Sequence, residues 1–296
     1  MAIVTAEDLH SRQHPDGSFG SQRGAEGRII STLFAARSLH EAGLNEHPSL
    51  DPALDFLTRT AIHGGCTIDG RREGVLPCYT GMLARLLLGT GRIETATPLL
   101  TWIVTYQPVA FGGTSYHQPD GQPWGSYLRH RYGGCMSDTT CLLGLVPTIA
   151  ALLDARDLGL DLAVDAHLSA MRNLLTDRQL FHSRGGEVIP LSGRTKADPE
   201  GTRWLLPAFP RDYIIDLIEL LDLALRLDVP SVATVPAVDV LKSWRLPEGG
   251  WPMLGTRRIP DAYRPEGANR HTSSSIITNR VNQLGLWPET EGVFKR

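Results

Sequence analysis

Cysteines are the residues of this sequence that point most directly to chemistry. Cys78 follows Pro77 at the predicted start of one helix, and Cys135 and Cys141 lie around the predicted start of another. Backbone N–H groups and the helix dipole at such positions favour a thiolate and lower the pKa of a cysteine. Three thiols at neighbouring helix starts can bind zinc and leave a fourth position for water or substrate. We therefore predict a zinc site at Cys78, Cys135 and Cys141, with Cys66 as a further candidate ligand.

A second interpretation of the same cysteines needs no metal. Free cysteine is among the most frequently buried residue types, so all four can be small core side chains. The spacings from Cys66 to Cys78 and from Cys135 to Cys141 are not the tight C-x₂-C pattern of common zinc sites. Both interpretations stay open, and a metal site requires the fold to bring the two helix starts together.

Carboxylates supply the candidates for proton transfer. Asp216 lies three residues after Tyr213 in a predicted helix, so both side chains can face a cavity. A carboxyl in such apolar surroundings has a raised pKa and can act as a general acid or base. The alternative is an aspartate bonded to a backbone group or to an arginine across the core. Asp138 is a candidate both for the N-cap of its helix and for proton transfer, whereas Asp212 is interpreted as a helix N-cap.

Histidines and paired arginines complete the set of candidates. His182 and His271 lie at predicted element boundaries, where each can be a fourth zinc ligand, a proton shuttle, or simply a cap or solvated turn residue. The pairs Arg71–Arg72 and Arg257–Arg258 can hold an anionic group of a substrate or form solvated surface pairs.

Helices are the elements that must position these residues. Apolar residues recur three to four apart, which predicts a mainly helical chain with few strands. The predicted helices are 28–39, 51–60, 78–88, 93–106, 138–153, 162–175, 213–227, 235–244 and 272–284. The helices 78–88, 138–153 and 213–227 are apolar nearly all round, which predicts that they form an inner layer.

Alternation of inner and outer helices predicts the architecture. We expect an all-α fold, a closed (α/α) toroid in which the starts of the inner helices gather at one rim. A single domain is expected over residues 1–296, with long loops at about 113–134 and 183–209 lying over the site. Aromatic residues expected around the pocket are Tyr79, Trp124, Tyr127, Tyr132 and Tyr213.

Three segments resemble the repeats of a known superfamily. They are Gln13–Phe19 (QHPDGSF), Leu100–Gln107 (LTWIVTYQ) and Leu241–Trp251 (LKSWRLPEGGW). They are similar to degenerate repeats of the terpenoid cyclase and protein prenyltransferase toroids, in particular those of squalene-cyclase-like bacterial proteins. The resemblance implies the closed toroid, and it supports fold far better than function.

The catalytic motifs of that superfamily are only partly represented in the sequence. The Asp-x-Asp-Asp acid of class II cyclases and the aspartate-rich magnesium motifs of class I synthases are both missing. The segment Gly133–Pro147 is similar to the metal-bearing helix start of prenyltransferase β subunits, which hold zinc through Asp, Cys and His, although its spacing differs.

Composition excludes several classes of partner. The net charge is −3 and no Lys/Arg-rich run occurs, so neither nucleic acid nor an anionic membrane is expected. No apolar run approaches a membrane span, and no signal peptide is read at the N-terminus, so we expect a cytoplasmic protein. The oligomeric state is not readable from the sequence.

Three functional hypotheses follow from these observations. The first is an enzyme that acts on a mostly apolar small molecule, carbonyl-bearing or isoprenoid-like, by zinc-assisted hydrolysis, hydration or lyase chemistry. The second is a metal-free dehydratase or isomerase, similar to the linalool dehydratase-isomerases, in which Cys78 or Cys141 works with Asp138 or Asp216. The third is a non-catalytic toroid that serves as a subunit or binding module.

Overall fold

Helices account for most of the described chain, as the hydrophobic spacing predicts. The computed structural model describes residues 3–21, 25–107, 141–191, 194–257 and 259–287. Its helices are α1 (Ala6–Ser11), α2 (Ala25–Glu41), α3 (Leu50–Thr60), α4 (Pro77–Gly89), α5 (Ile93–Tyr106), α6 (Leu142–Asp157), α7 (Asp165–Asp177), α8 (Leu217–Arg226), α9 (Ser231–Ser243) and α10 (Ser275–Asn282). Two short 3₁₀ helices lie at Arg72–Gly74 and Arg203–Leu205.

One small sheet departs from the all-α expectation. The strands β1 (Pro252–Met253) and β2 (Asn269–Ser273) pair antiparallel, with an irregular register between Pro252 and Met253. All five residues of β2 are exposed, so the sheet contributes little to the core.

Burial separates the helices into the two predicted sorts. Eleven of the thirteen residues of α4 and twelve of the sixteen of α6 are buried, against four of thirteen in both α7 and α9. Contacts follow the same division: α2, α4, α6 and α8 touch in succession, and α3, α5, α7 and α9 each pack on the helix before them. The described part therefore alternates inner and outer helices from α2 to α9.

The inner helices α4 and α6 approach closely because two glycines face the contact. A Cβ built on Gly81 lies 2.4 Å from the backbone of Pro147 and Thr148. A Cβ on Gly144 lies 3.1 Å from Pro77 Cβ. Only residues without a side chain leave room for backbones this close.

The contact between α2 and the α8 region is made by ion pairs. Arg37 of α2 lies 3.5 Å from Glu219 of α8. Arg211, six residues before α8 begins, lies 2.5 Å from Glu41 of α2. Charged side chains therefore connect the first inner helix to the last of this series.

Of the two predicted long loops, the structure describes most of the second and none of the first. The loop at about 113–134 lies outside the described residues. Of the segment 183–209, the structure describes residues 183–191 and 194–209, which form no α-helix. The Trp204 indole donates to the Ile189 carbonyl at 2.7 Å, and the Asp198 carboxylate accepts from the backbone N–H groups of Thr202 and Arg203. Among the described helices, none is both long and apolar enough to cross a bilayer.

Candidate functional site

Two of the predicted metal-binding cysteines lie at adjacent helix starts. Cys78 is in the first turn of α4, and Cys141 is the N-cap residue of α6. Gly144, one turn after Cys141, faces the start of α4, and a Cβ built on it lies 4.0 Å from the backbone nitrogen of Cys78. The fold therefore brings these two helix starts together. Cys135 and Asp138 lie outside the described residues.

The predicted lowering of the cysteine pKa is wrong for Cys141. Burial raises the pKa of Cys141, although the backbone N–H groups of Gly144 and Leu143 at the helix start oppose it. Burial alone raises the pKa of Cys66, which is fully buried and lies 3.8 Å from the Thr67 carbonyl. At Cys141, desolvation of the charged form outweighs the helix terminus. Cys66 fits the interpretation as a core side chain, and no group of three potential metal ligands occurs within the described residues.

An aromatic cluster lies beside these helix starts. The Tyr79 ring is 6.0 Å from the Phe34 ring of α2 and 6.2 Å from the Tyr213 ring, measured between centroids. Phe34 and Tyr79 are buried, whereas Tyr213 is 40% exposed and so reaches the surface. We call Cys78, Cys141 and these three aromatic residues the thiol rim.

Asp216 is not the acid that the sequence predicted. The helix α8 begins at Leu217, so Tyr213 and Asp216 precede it and do not share a helix face. Asp216 is the N-cap, and its carboxylate accepts the Glu219 N–H at 3.0 Å and two Arg280 hydrogen bonds at 2.8 Å. Burial raises its pKa, but Arg280 and Arg211 outweigh burial and lower it overall. This is the alternative interpretation, a carboxylate bonded to the backbone and to an arginine.

Asp212 is a carboxyl that the sequence interpretation did not consider for proton transfer. It is not a helix N-cap, because its Oδ1 accepts the Ile214 N–H at 2.8 Å in a turn before α8. Burial raises the pKa of Asp212, and the Ile214 N–H and the charges of Arg257 and Arg37 only partly offset it. Asp212 directly precedes Tyr213 of the thiol rim, and its carbonyl accepts from Arg37 at 2.9 Å.

The two candidate histidines lie in different places. His182 is half-buried, stacks on Phe181 with 4.5 Å between ring centroids, and has a buried Nδ1 without a hydrogen-bond partner. His271 is exposed on β2. Their predicted roles at the cysteine site rest on the sequence alone.

A cavity of about 740 Å³ lies between the inner helices. Its lining comes from α2, α4, α6, α8 and α10 and from the segment before α8. Within the described chain, the lining includes five carboxylates and five arginines, namely Arg37, Arg85, Arg211, Arg226 and Arg280. This charged lining differs from the apolar hollow that the sequence predicted, although Met82, Leu86, Ile218 and other apolar residues also contribute.

Ion pairs connect the walls of this cavity. Glu219, only 5% exposed at its side chain, lies 2.5 Å from Arg211, 3.5 Å from Arg37 and 3.5 Å from Arg85. Arg85 also bonds Asp154 of α6 at 2.8 Å. One carboxylate of α8 is therefore tied to α2, to α4 and to the segment before α8, and through Arg85 to α6.

Solved structures of a terpene cyclase, a member of the superfamily that the repeat motifs resemble, match the chain weakly. The type II terpene cyclase MstE from Scytonema, in a complex of one variant with its product merosterolic acid A, matches with 16% identity and a TM-score of 0.35 over 94% of this chain and 93% of that chain. Another variant, in complex with the substrate geranylgeranyl dihydroxybenzoate, matches with 16% identity and a TM-score of 0.34 over 82% of this chain and 77% of that chain.

The similarity to MstE is weak and has no counterpart at the level of sequence families. No protein-family model matches the chain, and neither does any curated protein sequence. A similarity of this size carries no conclusion about the architecture or the reaction of this chain.

Proposed function

We propose that this protein is an enzyme that acts at the thiol rim on a small, mostly apolar molecule that bears a carbonyl group or an isoprenoid-like chain. The observation that carries the proposal is the contact between the starts of α4 and α6, where Gly144 lies against Pro77 and Cys78. That contact supports two thiols acting together beside the rings of Tyr79 and Tyr213. The aromatic rings offer apolar surface for a substrate of this class.

Zinc is the first version of this proposal. Cys78, Cys135 and Cys141 would hold the ion, and Cys135 is required because the described residues supply only two of the three thiols. The adjacent starts of α4 and α6 and the partial exposure of Cys141 fit such a site. A zinc ion with an open position polarises a carbonyl or activates water, which suits hydrolysis, hydration or lyase chemistry.

Metal-free acid–base catalysis is the second version. Cys78 or Cys141 would exchange a proton with a nearby carboxyl, for dehydration or isomerisation. Asp216 is unsuited, because two arginines hold its carboxylate. Asp212, which directly precedes Tyr213 and is bonded through its carbonyl to Arg37, takes that place among the described residues.

Ring closure completes the proposal. We infer that the inner helices form a closed toroid in which the ion pairs of Arg37, Arg211 and Glu219 join α2 to α8. A single domain then encloses the cavity, and the thiol rim lies at the end where α4 and α6 begin.

Metal analysis of protein purified without added zinc separates the two versions. About one equivalent of zinc is expected from the first version, with loss in Cys135→Ser and Cys141→Ser and retention in the matched control Cys66→Ala, whose thiol lies in the core. Less than about a tenth of an equivalent rejects zinc. Activity that survives exhaustive chelation but is lost on alkylation of Cys141 supports the second version. Activity that survives both treatments overturns the proposed role of the rim.

A further inference from the structure

Arg257 and Asp212 are held side by side next to the thiol rim. Backbone hydrogen bonds join the segments that precede them: the Gly255 N–H donates to the Pro207 carbonyl at 3.0 Å, and the Phe209 N–H donates to the Gly255 carbonyl at 3.3 Å. This pairing fixes the two chain segments relative to each other. Arg257 Nε then lies 3.7 Å from Asp212 Oδ1.

The distance between Arg257 Nε and Asp212 Oδ1 allows charge attraction but is too long for a hydrogen bond. Asp212 Oδ1 already accepts the Ile214 N–H. Arg257 Nε is buried and has no hydrogen-bond partner. A buried donor without an acceptor is costly, so a group that supplies an acceptor oxygen here is favoured.

The arginines of the central cavity do not share this feature. Each of the five makes at least one contact of 2.8 Å or less with a carboxylate oxygen. Arg257 is therefore distinguished from them by an unused N–H at its guanidinium, on the side of the fold where Asp212 leads into Tyr213. The sequence also allowed Arg257 to be part of a solvated surface pair. That interpretation does not describe Arg257, because only 19% of its side chain is exposed.

We propose that Arg257, together with Asp212, forms a binding site for the carbonyl oxygen of an otherwise apolar substrate at the thiol rim. This rests on the proposed function, because it places the polar end of the same substrate. The guanidinium donates to the carbonyl oxygen, and the adjacent Asp212 keeps the pair electrically neutral, which favours a neutral oxygen acceptor over a carboxylate. The raised pKa of Asp212 lets it exchange a proton with such a group at a higher pH than an ordinary aspartate.

Binding of three matched probes tests the site: geranylacetone, the hydrocarbon of the same skeleton without the carbonyl oxygen, and geranylacetic acid. Titration calorimetry of the wild-type chain is expected to give an affinity for the ketone about tenfold above that for the hydrocarbon, the size of a hydrogen bond to a charged group. The acid is expected to bind more weakly than the ketone, because its charge meets Asp212.

Two variants make the test specific. Arg257→Met keeps much of the side-chain volume and is expected to remove the preference for the ketone, whereas Arg245→Met is the control, since Arg245 lies over the Trp251 ring. Asp212→Asn is expected to raise the affinity for the acid and leave that for the ketone nearly unchanged. A purely structural role for Asp212 does not raise the affinity for the acid while leaving that for the ketone unchanged. Folding of each variant is checked by its far-UV spectrum and melting temperature.

The outcomes separate this site from the proposed function. Equal affinity of the wild-type chain for ketone and hydrocarbon, or a preference that persists in Arg257→Met, overturns the carbonyl site. If Arg257→Met removes the preference but alkylation of Cys141 leaves ketone binding unchanged, the carbonyl site stands and the rim is not where the ligand lies. If alkylation blocks binding and Arg257→Met has no effect, the rim stands and the carbonyl site is rejected.

Discussion

Glu219 is the carboxylate whose loss affects the largest number of inner elements. It is nearly buried and contacts Arg211 at 2.5 Å and Arg37 and Arg85 at 3.5 Å each. In Glu219→Gln the charge disappears and the shape is nearly kept. Removing one partner of a buried ion pair typically costs about 3–5 kcal/mol, because the other charge stays buried and uncompensated.

The remaining contacts set the expected size. Arg211 keeps Glu41 at 2.5 Å, Arg37 keeps Glu41 at 2.6 Å, and Arg85 keeps Asp154 at 2.8 Å. No arginine is left without a carboxylate, so we expect the lower end of the range, about 3 kcal/mol in the free energy of unfolding.

Urea unfolding at pH 7 measures this loss. The matched control is Asp51→Asn, which removes a carboxylate that is 84% exposed from its pair with Arg92 at 2.9 Å. An exposed pair contributes about 0–1 kcal/mol. If Glu219→Gln lowers the free energy of unfolding by less than about 1 kcal/mol, or by no more than Asp51→Asn does, the ion pairs do not hold the inner helices together.

Three further predictions concern the same framework. Burial raises the pKa of Glu41 and of Asp216, but nearby arginines (Arg211 and Arg37 for Glu41, Arg280 and Arg211 for Asp216) lower both pKa values overall. The stability that these two carboxylates contribute is therefore complete above the ordinary carboxyl pKa of about 4 and is lost as the pH falls below it. Urea midpoints at pH 7 and pH 3 check this, and an unchanged midpoint contradicts it. Asp216→Asn keeps an N-cap and loses only the ion pairs, so Asp216→Ala is expected to be less stable than Asp216→Asn by about 1 kcal/mol in the same assay. Gly81→Ala forces the α4 and α6 backbones apart and is expected to lower the free energy of unfolding by about 1–3 kcal/mol. Gly27→Ala, which has open space around its Cβ, is expected to raise it by up to about 1 kcal/mol. Equal melting temperatures for the two variants argue against a close contact between α4 and α6.

Helix positions were predictable because apolar spacing is a local signal. α5 matches its prediction residue for residue, and α4 extends its prediction by one residue at each end. The start of α8 was placed four residues early, because the apolar residues Ile214 and Ile215 continue the helical pattern before it. The signal that marks the true start is Asp216 followed three residues later by Glu219, the spacing of an N-cap and a third helical residue.

The candidate site was only partly predictable, because its decisive contacts join residues far apart in the chain. The helix starts carrying Cys78 and Cys141 were recognised from local features, and the fold brings them together through Gly144. The pairing of Arg280 with Asp216 joins residues 64 positions apart and reverses the predicted direction of the Asp216 pKa. A single sequence contains no spacing that indicates such a pair. The same limit applies to Asp212, whose raised pKa depends on burial by the fold.

Charge and apolar surface occupy different parts of the inner helices, which bears on how a substrate is accommodated. On α2, Phe34 packs in the aromatic cluster, whereas Arg37, one turn later, lies in the ion-pair network. On α4, Tyr79 and Arg85 divide in the same way. An apolar substrate in the charged cavity would lie against arginine and carboxylate side chains and displace water from them without replacing its hydrogen bonds. We therefore expect a substrate of the proposed class to bind at the thiol rim rather than in the arginine-lined cavity.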